Sequence, residues 1–417
     1  MEPESVTNHT AIPISSSERY AILDVLRGLA LLGIALANFP EFSLYSFLPV
    51  EAAGAMPTAG IDRIVRYLQY IFIDGKFYTI FSLLFGIGFS IIITNAARKG
   101  ANGFRIFYRR MFVLMLIGFL HLMFLWSGDI LMLYALLGML LLPLFRNLPN
   151  RALLVWAFVL MAIPVVVDFA VELSGIYPSA SVVELQQFYC NRYGITDENF
   201  AYWLRDAKHY SGTFEFLIQG ALVRVQEFID GNRYFKVMGL FLLGFCIGRN
   251  RLYANLSDLV PQLKRIACYG FIVGLPLSFI YAWSAMNGRP WGWGTHAVLY
   301  FTSVFPLGFA YVAGICLCYL RRPQWKGFRF SAMSGRMALT NYIGQSVFGM
   351  LLFYGIGFGF GAGVGLVYVV LIAAGAWIVQ ALFSSVWLHL CQFGPLEWIW
   401  RMFTYGKVFK LIKERNG

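Results

Sequence analysis

Long apolar stretches alternate with short polar segments along most of the chain. A helix that crosses the hydrocarbon core of a bilayer needs about 20 predominantly apolar residues, and it satisfies its backbone hydrogen bonds internally. The pattern predicts ten such helices, at residues 21–39, 76–96, 109–126, 129–146, 151–172, 233–249, 263–285, 296–320, 336–356 and 362–390. We therefore expect an all-α fold, built as a polytopic membrane helix bundle.

The segments around these stretches divide the chain into three parts. Residues 1–19 are polar, lack the charged–apolar–cleavage pattern of a signal peptide, and are predicted to form a disordered tail. Residues 20–393 form the predicted bundle, whose long segment 173–232 contains two amphipathic stretches, FAYWLRDAKHY and FEFLIQGALVRVQEFID, typical of helices lying over a bundle. Residues 394–417 begin with a Pro-led aromatic stretch that suits an interfacial helix and end in a basic tail.

Composition supports the membrane class and sets an orientation. The chain is 59% hydrophobic and only 13% charged, which excludes an ordinary soluble domain. Its net charge of +12 comes from Lys and Arg in the loops 96–110, 249–265 and 321–336 and in the C-terminal tail. These segments fall on one side of a ten-helix bundle, so we expect that side and both termini to be cytoplasmic, with 173–232 outside. The charge is a topology signal, and no nucleic-acid partner is expected.

Several kinds of chemistry have no sequence support. The six cysteines show neither disulfide nor metal-site spacing. The chain contains no phosphate-binding loop, no GxSxG, no HExxH and no CxxC motif, so a nucleotide-driven pump or a metalloprotease is not indicated. We expect no metal.

One histidine stands out from its surroundings. His121 follows ten apolar positions and precedes five more, whereas the other four histidines lie in polar segments or near helix ends. A buried imidazole in a membrane either joins helices by a hydrogen bond or marks a functional site. Both interpretations are open at this point.

The residues after His121 strengthen the functional interpretation. A hairpin turning at Ser127-Gly128 puts Tyr134 at about the depth of His121 and Asp129 one to two helical turns above it. Histidine is the usual general base near neutral pH, and a carboxylate orients its ring or holds its charge. The hairpin therefore predicts a catalytic group of His121, Asp129 and Tyr134 around one cavity.

The first apolar stretch also carries polar groups. Asp24 and Arg27 are three residues apart and share a helix face, where they either pair at the membrane edge or face a ligand. Asn38 lies eleven residues after Arg27, about 16 Å further along the helix axis, in the outer half of the membrane. Its amide must find a partner or line a cavity.

The ninth stretch begins with the most polar run in the bundle. Arg336 and Thr340 are helical neighbours, and so are Asn341 and Gln345. This face should point into the bundle, because it is a poor lipid surface. Four basic residues precede it, Arg321, Arg322, Lys326 and Arg329. Together they either hold a phosphate-bearing cytoplasmic ligand or simply anchor the loop.

Five blocks of sequence resemble a known family. They are LDVLRGLALLGIALAN, FSLLFGIGFS, GFLHLMFLWSGDILMLYALLG, GRMALTNYIGQS and GPLEWIWRMFTYG, which occur in this order between residues 20 and 406. They are similar to the signature blocks of the YeiB-like bacterial membrane proteins, the family of domain of unknown function 418. This resemblance implies a multi-pass protein of the bacterial inner membrane.

The first block has a wider similarity. LRG, with Arg27 and then Asn38, resembles the first catalytic helix of transmembrane acyltransferases such as heparan-alpha-glucosaminide N-acetyltransferase and the acyltransferase-3 group. The resemblance implies acyl transfer from cytoplasmic acyl-CoA to an acceptor on the outer side, with Asn38 at the position of the heparan enzyme's asparagine. That enzyme has its essential histidine in the first outer loop, whereas residues 40–75 here contain no histidine. The base would then come from His121.

The leading hypothesis is therefore an integral membrane acyltransferase with acyl-CoA, such as acetyl-CoA, as donor substrate. We expect Arg27, Arg336, Thr340, Asn341 and Gln345 to bind the donor. We expect His121 to deprotonate the acceptor, Asp129 or Tyr134 to orient the ring, and Asn38 to hold the acyl carbonyl oxygen.

The expected partners are membrane lipids and a small-molecule or glycan acceptor, and a homodimer is left open. The alternatives are a small-solute transporter or exporter that uses the same buried polar groups, and a binding protein without turnover.

Overall fold

The computed structural model describes residues 20–98, 100 and 102–413. The tail predicted for residues 1–19 lies outside this part, as do residues 414–417 of the predicted basic tail. The described residues form helices joined by turns, with one isolated backbone bridge between Cys391 and Ile412. The predicted all-α helical bundle is confirmed.

Seventeen α-helices follow one another along the described residues. The first nine are α1 (Ala21–Phe42), α2 (Val50–Gly54), α3 (Ala59–Phe72), α4 (Lys76–Arg98), α5 (Gly103–Phe124), α6 (Leu131–Phe145), α7 (Asn150–Ser174), α8 (Ala180–Tyr193) and α9 (Trp203–Asp206). The remainder are α10 (Tyr210–Asp230), α11 (Arg233–Arg249), α12 (Val260–Met286), α13 (Gly292–Arg321), α14 (Lys326–Arg336), α15 (Ala338–Phe353), α16 (Leu366–Leu390) and α17 (Pro395–Tyr405).

Seven helical stretches in the described residues are long and apolar enough to cross a membrane. They are α1, α3 joined with α4, α5, α7, the stretch Leu256–Met286 that contains α12, α13 and α16. The chain is therefore a multi-pass membrane protein. Each of the ten predicted stretches coincides with a separate helix, but α6, α11 and α15 have only 15, 17 and 16 residues. Ten crossings remain a prediction.

The predicted basic loop 321–336 is mostly helical. Residues Lys326–Arg336 form α14, and Met337, with φ −112° and ψ 38°, separates it from α15. α14 buries Ser331 against α1 and packs Phe328 on Tyr319 of α13, so this segment packs into the bundle instead of only covering its end. Periodicity did not distinguish it from a loop because it is short and carries several charges.

Glycines let α1 and α14 approach closely. A Cβ on Gly28 would lie 1.9 Å from the carbonyl oxygen of Ser331, and one on Gly335 would lie 2.0 Å from that of Asp24. The Ser331 hydroxyl donates to the carbonyl oxygen of Val25 at 3.0 Å, and Trp377 of α16 donates to that of Gly28 at 3.0 Å. α1 thus lies at the centre of the bundle, against α14, α15 and α16 on one side and α4 on the other.

Helix α4 packs against α11, and glycines again allow the two helices to approach closely. A Cβ on Gly86 would lie 2.1 Å from the carbonyl oxygen of Phe241, and one on Gly244 would lie 2.1 Å from that of Leu83. Small residues at helix contacts replace the hydrophobic driving force that is missing in lipid. The small residues of FSLLFGIGFS thus allow a close contact that holds α4 between α1 and α11.

Candidate functional site

Three buried side chains form a hydrogen-bonded row at the C-terminal end of α5. The Nδ1 atom of His121 lies 2.9 Å from Oδ1 of Asp129, and its Nε2 atom lies 2.8 Å from Oγ of Ser346. Their relative exposures are only 2%, 1% and 1%, respectively. The row joins α5, the turn before α6, and α15, which are distant in sequence. Such a carboxylate–imidazole–hydroxyl arrangement is chemically competent to activate the hydroxyl.

Local structure fixes the orientation of the carboxylate. α5 ends at Phe124, and the turn that follows returns the backbone N–H of Trp126 to the His121 carbonyl oxygen at 2.9 Å. The second oxygen of Asp129, Oδ2, accepts a hydrogen bond at 2.8 Å from the N–H of Met132 in the first turn of α6. Asp129 therefore satisfies an otherwise unpaired helix N–H and holds the imidazole at the same time.

Aromatic rings pack around the imidazole of the row. The Tyr342 ring centre lies 5.2 Å from that of His121, and the Trp126 ring centre lies 6.0 Å away on another side. Trp126 is in turn covered by Phe42 of α1, with ring centres 4.4 Å apart. These rings exclude water, which strengthens the electrostatic interactions among the buried polar groups.

Helix α10 covers the turn that carries Asp129. Its Arg224 donates from Nε to the Ser127 carbonyl oxygen at 2.9 Å and lies over the Trp126 ring at 5.8 Å. A Cβ on Gly220 would lie 2.8 Å from Cβ of Ser127, so the helix fits closely on the turn. The segment 173–232 thus contributes directly to the cover of the site.

A cavity of about 320 Å³ extends from the basic end of the bundle, where α1 begins and α4 ends, toward this row. Its inner wall is largely apolar and includes Phe85, Leu114, Ile130 and Tyr134. Tyr342 also lines it, on the side where its ring contacts His121. The cavity therefore ends one aromatic ring away from the imidazole.

Charged groups line the basic end of the cavity. Four of them are basic and two acidic: Arg27, Arg110, Arg336 and Arg401, with Asp24 and Glu397. The Arg110 guanidinium lies 3.7 Å from the Trp400 ring centre, and Trp400 donates to the Arg110 carbonyl oxygen at 2.9 Å. Arg27 pairs with Asp24 at 2.7 Å. The lining has an excess of positive charge, which favours an anionic ligand.

The predicted donor-binding residues separate into two groups. Arg27 and Arg336 line the cavity, whereas Thr340, Asn341 and Gln345 are used in helix contacts. The Thr340 hydroxyl donates to Glu397 at 2.6 Å, Asn341 donates to Ser384 at 3.0 Å, and Gln345 donates to Gln380 at 3.1 Å. These three bonds tie α15 to α16 and α17. The polar face does point into the bundle, but toward neighbouring helices.

Glu397 caps the N-terminus of α15. Its Oε1 accepts from the backbone N–H of Leu339 at 2.7 Å and of Thr340 at 3.1 Å. Removal from water raises the pKa of this carboxyl above its usual 4.5, although the hydrogen bonds from Thr340 and Leu339 oppose the rise. Glu397 thereby docks α17 onto α15 beside the cavity.

The remaining predicted residues lie apart from the row. Tyr134 exchanges a hydrogen bond with Ser82 at 2.7 Å and lines the cavity, so its neighbour is α4 and not the imidazole. Asn38 is half-buried near the C-terminal end of α1 and does not line the cavity. Its expected role at the acyl carbonyl oxygen stays a prediction. Arg321 and Arg322 are exposed and do not line the cavity.

A second, polar cavity of about 240 Å³ adjoins the first and shares Tyr20 and Ile91 with it. Its other lining residues are Thr94, Asn95, Arg98, Arg251 and Tyr253. Arg251 donates to the Tyr20 hydroxyl at 2.9 Å, and the rings of Tyr20 and Tyr253 are 4.7 Å apart. Aromatic rings beside two arginines suit a planar, phosphate-bearing group.

Comparison with known proteins gives the family. Residues 247–407 match the family model described as "Protein of unknown function (DUF418)". The uncharacterized protein YxaH of Bacillus subtilis (strain 168) is 30% identical, over 94% of this chain and 96% of its own length. The chain belongs to the DUF418 family.

Two further relatives have the same extent. The uncharacterized protein YeiB of Escherichia coli (strain K12) is 26% identical over 93% of this DUF418 chain and 96% of its own. An uncharacterized 39.9 kDa protein of Bacillus acidopullulyticus is 28% identical over 97% and 99%. The resemblance to YeiB-like proteins is thus confirmed across nearly the whole chain, including the His121 hairpin that lies before residue 247.

Sequence reasoning missed several residues of this DUF418 site. Ser346 lies 225 positions from His121, so no local pattern connects them. Arg110, Arg401 and Tyr342 also belong to the cavity, although each is typical of an anchor or packing residue in sequence. In the described residues, no group of three or more His, Cys, Asp or Glu side chains is arranged to hold a metal ion.

Proposed function

We propose that this DUF418 protein transfers an acyl group from acyl-CoA to a hydroxyl or amine acceptor. One observation carries the proposal: an apolar cavity with an arginine-lined mouth ends at Tyr342, whose ring contacts the buried imidazole of His121. An anionic head and a long, narrow arm, in which methylene groups alternate with two amides, are the chemical features of an acyl-CoA. The cavity offers matching surfaces in the same order.

The donor would enter from the basic end. Arg27, Arg110, Arg336 and Arg401 would bind its phosphates, since guanidinium groups form strong charge-assisted hydrogen bonds with phosphate oxygens. The adjoining cavity at Tyr20 and Arg251 would take the nucleotide. The pantetheine arm would then follow the apolar wall toward Tyr342. Positive-inside asymmetry supports a cytoplasmic location for this end in a bacterial inner membrane, on the side where acyl-CoA is available.

The row would supply the acid–base chemistry. A neutral His121 held at Nδ1 by Asp129 has its Nε2 atom available to take a proton. The acceptor would approach from the outer side, where Trp126 and α10 cover the row. Both would have to move aside to admit it. Acceptors with hydroxyl or amino groups, including glycans, fit this chemistry.

Occluding the cavity tests the proposal. Gly88 lines the cavity, and a Cβ added there meets nothing within 4 Å, so Gly88→Leu should fill the path and leave the fold intact. The purified protein in nanodiscs should show a thermal shift with acetyl-CoA and release CoA thiol, and Gly88→Leu should lose both. Gly375→Leu is the matched control, because its position is equally open and lies outside the cavity lining. No thermal shift and no thiol release with acetyl-, succinyl- and longer acyl-CoA would refute acyl transfer.

A small-solute transporter is the second candidate, and one observation favours it. A series of polar side chains extends from the cavity toward the opposite end of the bundle. The Tyr134 hydroxyl lies 3.4 Å from the Tyr78 carbonyl oxygen, the Tyr78 hydroxyl lies 2.7 Å from that of Tyr300, and Lys236 lies over the Tyr300 ring. Polar and ionisable groups within a membrane bundle can mark a substrate or ion path. Solute flux into proteoliposomes without any acyl donor would support this function.

A further inference from the structure

We propose that Ser346 is the nucleophile of the reaction and carries the acyl group as a covalent ester between two half-reactions. This inference rests on the proposed acyl transfer and adds a step to it. It makes the donor and the acceptor react in turn, so that they need not meet in the membrane interior.

The hydrogen bonds set the direction of proton transfer. An ionised carboxylate only accepts hydrogen bonds, so Asp129 at 2.9 Å requires the proton of the neutral His121 ring to be on Nδ1. The Nε2 atom is then an acceptor, and the Ser346 hydroxyl at 2.8 Å must donate to it. This is the polarity that increases the nucleophilicity of a hydroxyl.

The location of Ser346 also matches the end of the cavity. Ser346 lies four residues after Tyr342 on α15, about 6 Å further along the helix axis. Tyr342 alone of these two lines the cavity, so its ring separates the donor path from the hydroxyl. Within the described part of the chain, the Tyr342 hydroxyl makes no hydrogen bond of standard geometry. A rotation of this ring would give up at most a weak contact with the Ile130 backbone, and it would connect the donor path to Ser346.

Each half-reaction moves the acyl group by one bond and returns the proton through His121. Oγ of Ser346 attacks the thioester carbonyl carbon, its proton moves to Nε2 of His121, and the carbon–sulfur bond breaks as the sulfur takes that proton to give free CoA. The acceptor hydroxyl or amine then attacks the ester carbon and gives its proton to Nε2. The bond to Oγ breaks, and Oγ recovers the proton. Asp129 holds the imidazolium in both steps.

Labelling tests the intermediate directly. The full-length protein in nanodiscs is incubated with acetyl-CoA without an acceptor, and free thiol and intact mass are measured. We expect about one equivalent of CoA released in a burst, one acetyl group added per chain, and a peptide map that puts it on Ser346. Ser346→Ala should bind acetyl-CoA with the wild-type thermal shift but gain no acetyl group.

A second serine provides the matched control. Ser303 is buried in α13, donates to the Leu299 carbonyl oxygen at 2.6 Å and lies outside the cavity lining. Ser303→Ala should therefore be acetylated like the wild type. Ser346→Cys keeps a nucleophile and should carry the acetyl group as a thioester that hydroxylamine removes.

Failure of the covalent step and failure of acyl transfer give different results. Glucosamine is the probe acceptor. If CoA release requires it and persists in Ser346→Ala, the covalent step is refuted, whereas acyl transfer is not. Acetylation of another residue would do the same. The absence of both CoA release and a thermal shift would refute acyl transfer, and the inference with it.

Discussion

The imidazole of His121 and the carboxylate of Asp129 form a direct, almost fully buried pair, with Nδ1 and Oδ1 2.9 Å apart. Burying two ionisable groups in a membrane protein is costly unless each satisfies the other's hydrogen bonds. Here Asp129 also accepts from Met132, and His121 also bonds to Ser346, so all three polar side chains of the row have partners. The pair lies beyond the end of the cavity, separated from it by the ring of Tyr342.

Replacing His121 should abolish acyl transfer. Loss of a general base typically lowers the rate by about 10²- to 10⁴-fold. His121→Ala would also leave the Asp129 carboxylate buried without its partner, at a cost of about 3–5 kcal/mol, whereas His121→Gln keeps a donor for it. We expect both variants to lose CoA release and only His121→Ala to lose much thermal stability. Full activity in either variant would rule out His121 as the base.

Asp129→Asn should slow the reaction without weakening the binding of acetyl-CoA. The amide keeps an oxygen for the Met132 N–H but no longer provides a charge for the imidazolium. The turnover number should fall by about 10²- to 10⁴-fold, while the KM for acetyl-CoA stays near the wild-type value. Steady-state kinetics of thiol release provide the measurement. A rise in KM without a change in turnover would assign Asp129 to donor binding instead.

Arg336→Gln should weaken donor binding. A hydrogen bond between charged groups contributes about 1.5–3 kcal/mol, which corresponds to roughly a 10- to 100-fold higher Kd for acetyl-CoA. Arg322→Gln is the matched control, because Arg322 is exposed at the same end and does not line the cavity. Isothermal titration in nanodiscs would compare the two. Equal losses would mean that the basic end acts only through its overall charge.

Gly28→Ala should destabilise the bundle. The added methyl group would meet the Ser331 carbonyl oxygen at 1.9 Å, so α1 and α14 would have to separate. Overpacking of this kind costs about 1–3 kcal/mol or more, and it would move Arg27 away from the cavity. Gly375→Ala in α16 meets no atom within 4 Å and should be neutral or stabilising. Thermal unfolding in detergent checks both. Equal stability of the two variants would contradict the close contact.

Glu397→Gln should change how stability depends on pH. The pKa of this carboxyl is higher in the folded protein than its usual 4.5, so folding favours the protonated form. The stability it contributes is complete below about pH 4.5 and is lost as the pH rises through the folded pKa. The Tm of the wild type should therefore fall relative to that of Glu397→Gln as the pH increases.

Glu51→Gln, which removes an exposed carboxyl of α2, controls for the change in net charge. A Tm difference between wild type and Glu397→Gln that does not vary between pH 4 and 8 would contradict the raised pKa of Glu397.

Much of the fold could be predicted because the membrane imposes a simple rule on each segment alone. Every apolar stretch had to be a helix, since no other local structure satisfies its backbone in lipid. Interruptions were harder to predict, as the helix α14 and the break at Met337 show. They depend on how Gly28 and Gly335 let two helices meet, which one segment cannot reveal.

The candidate site was predictable only where its parts are local. Asp129 lies eight residues from His121, so hairpin geometry was enough to propose the pair. Tyr134 was predicted by the same geometry, but its side chain faces α4. Depth along a helix follows from residue number, whereas the direction of a side chain follows from packing.

The sequence alone determined that the chain is a helical, multi-pass membrane protein with one costly histidine beside a carboxylate. Composition, helix length and short-range spacing suffice for that. Only the tertiary structure decided that Ser346 completes the row, that Thr340, Asn341 and Gln345 join helices, and that four arginines gather at one cavity. These relationships connect segments that are far apart in the chain. They form only when the helices pack and bury particular faces against each other.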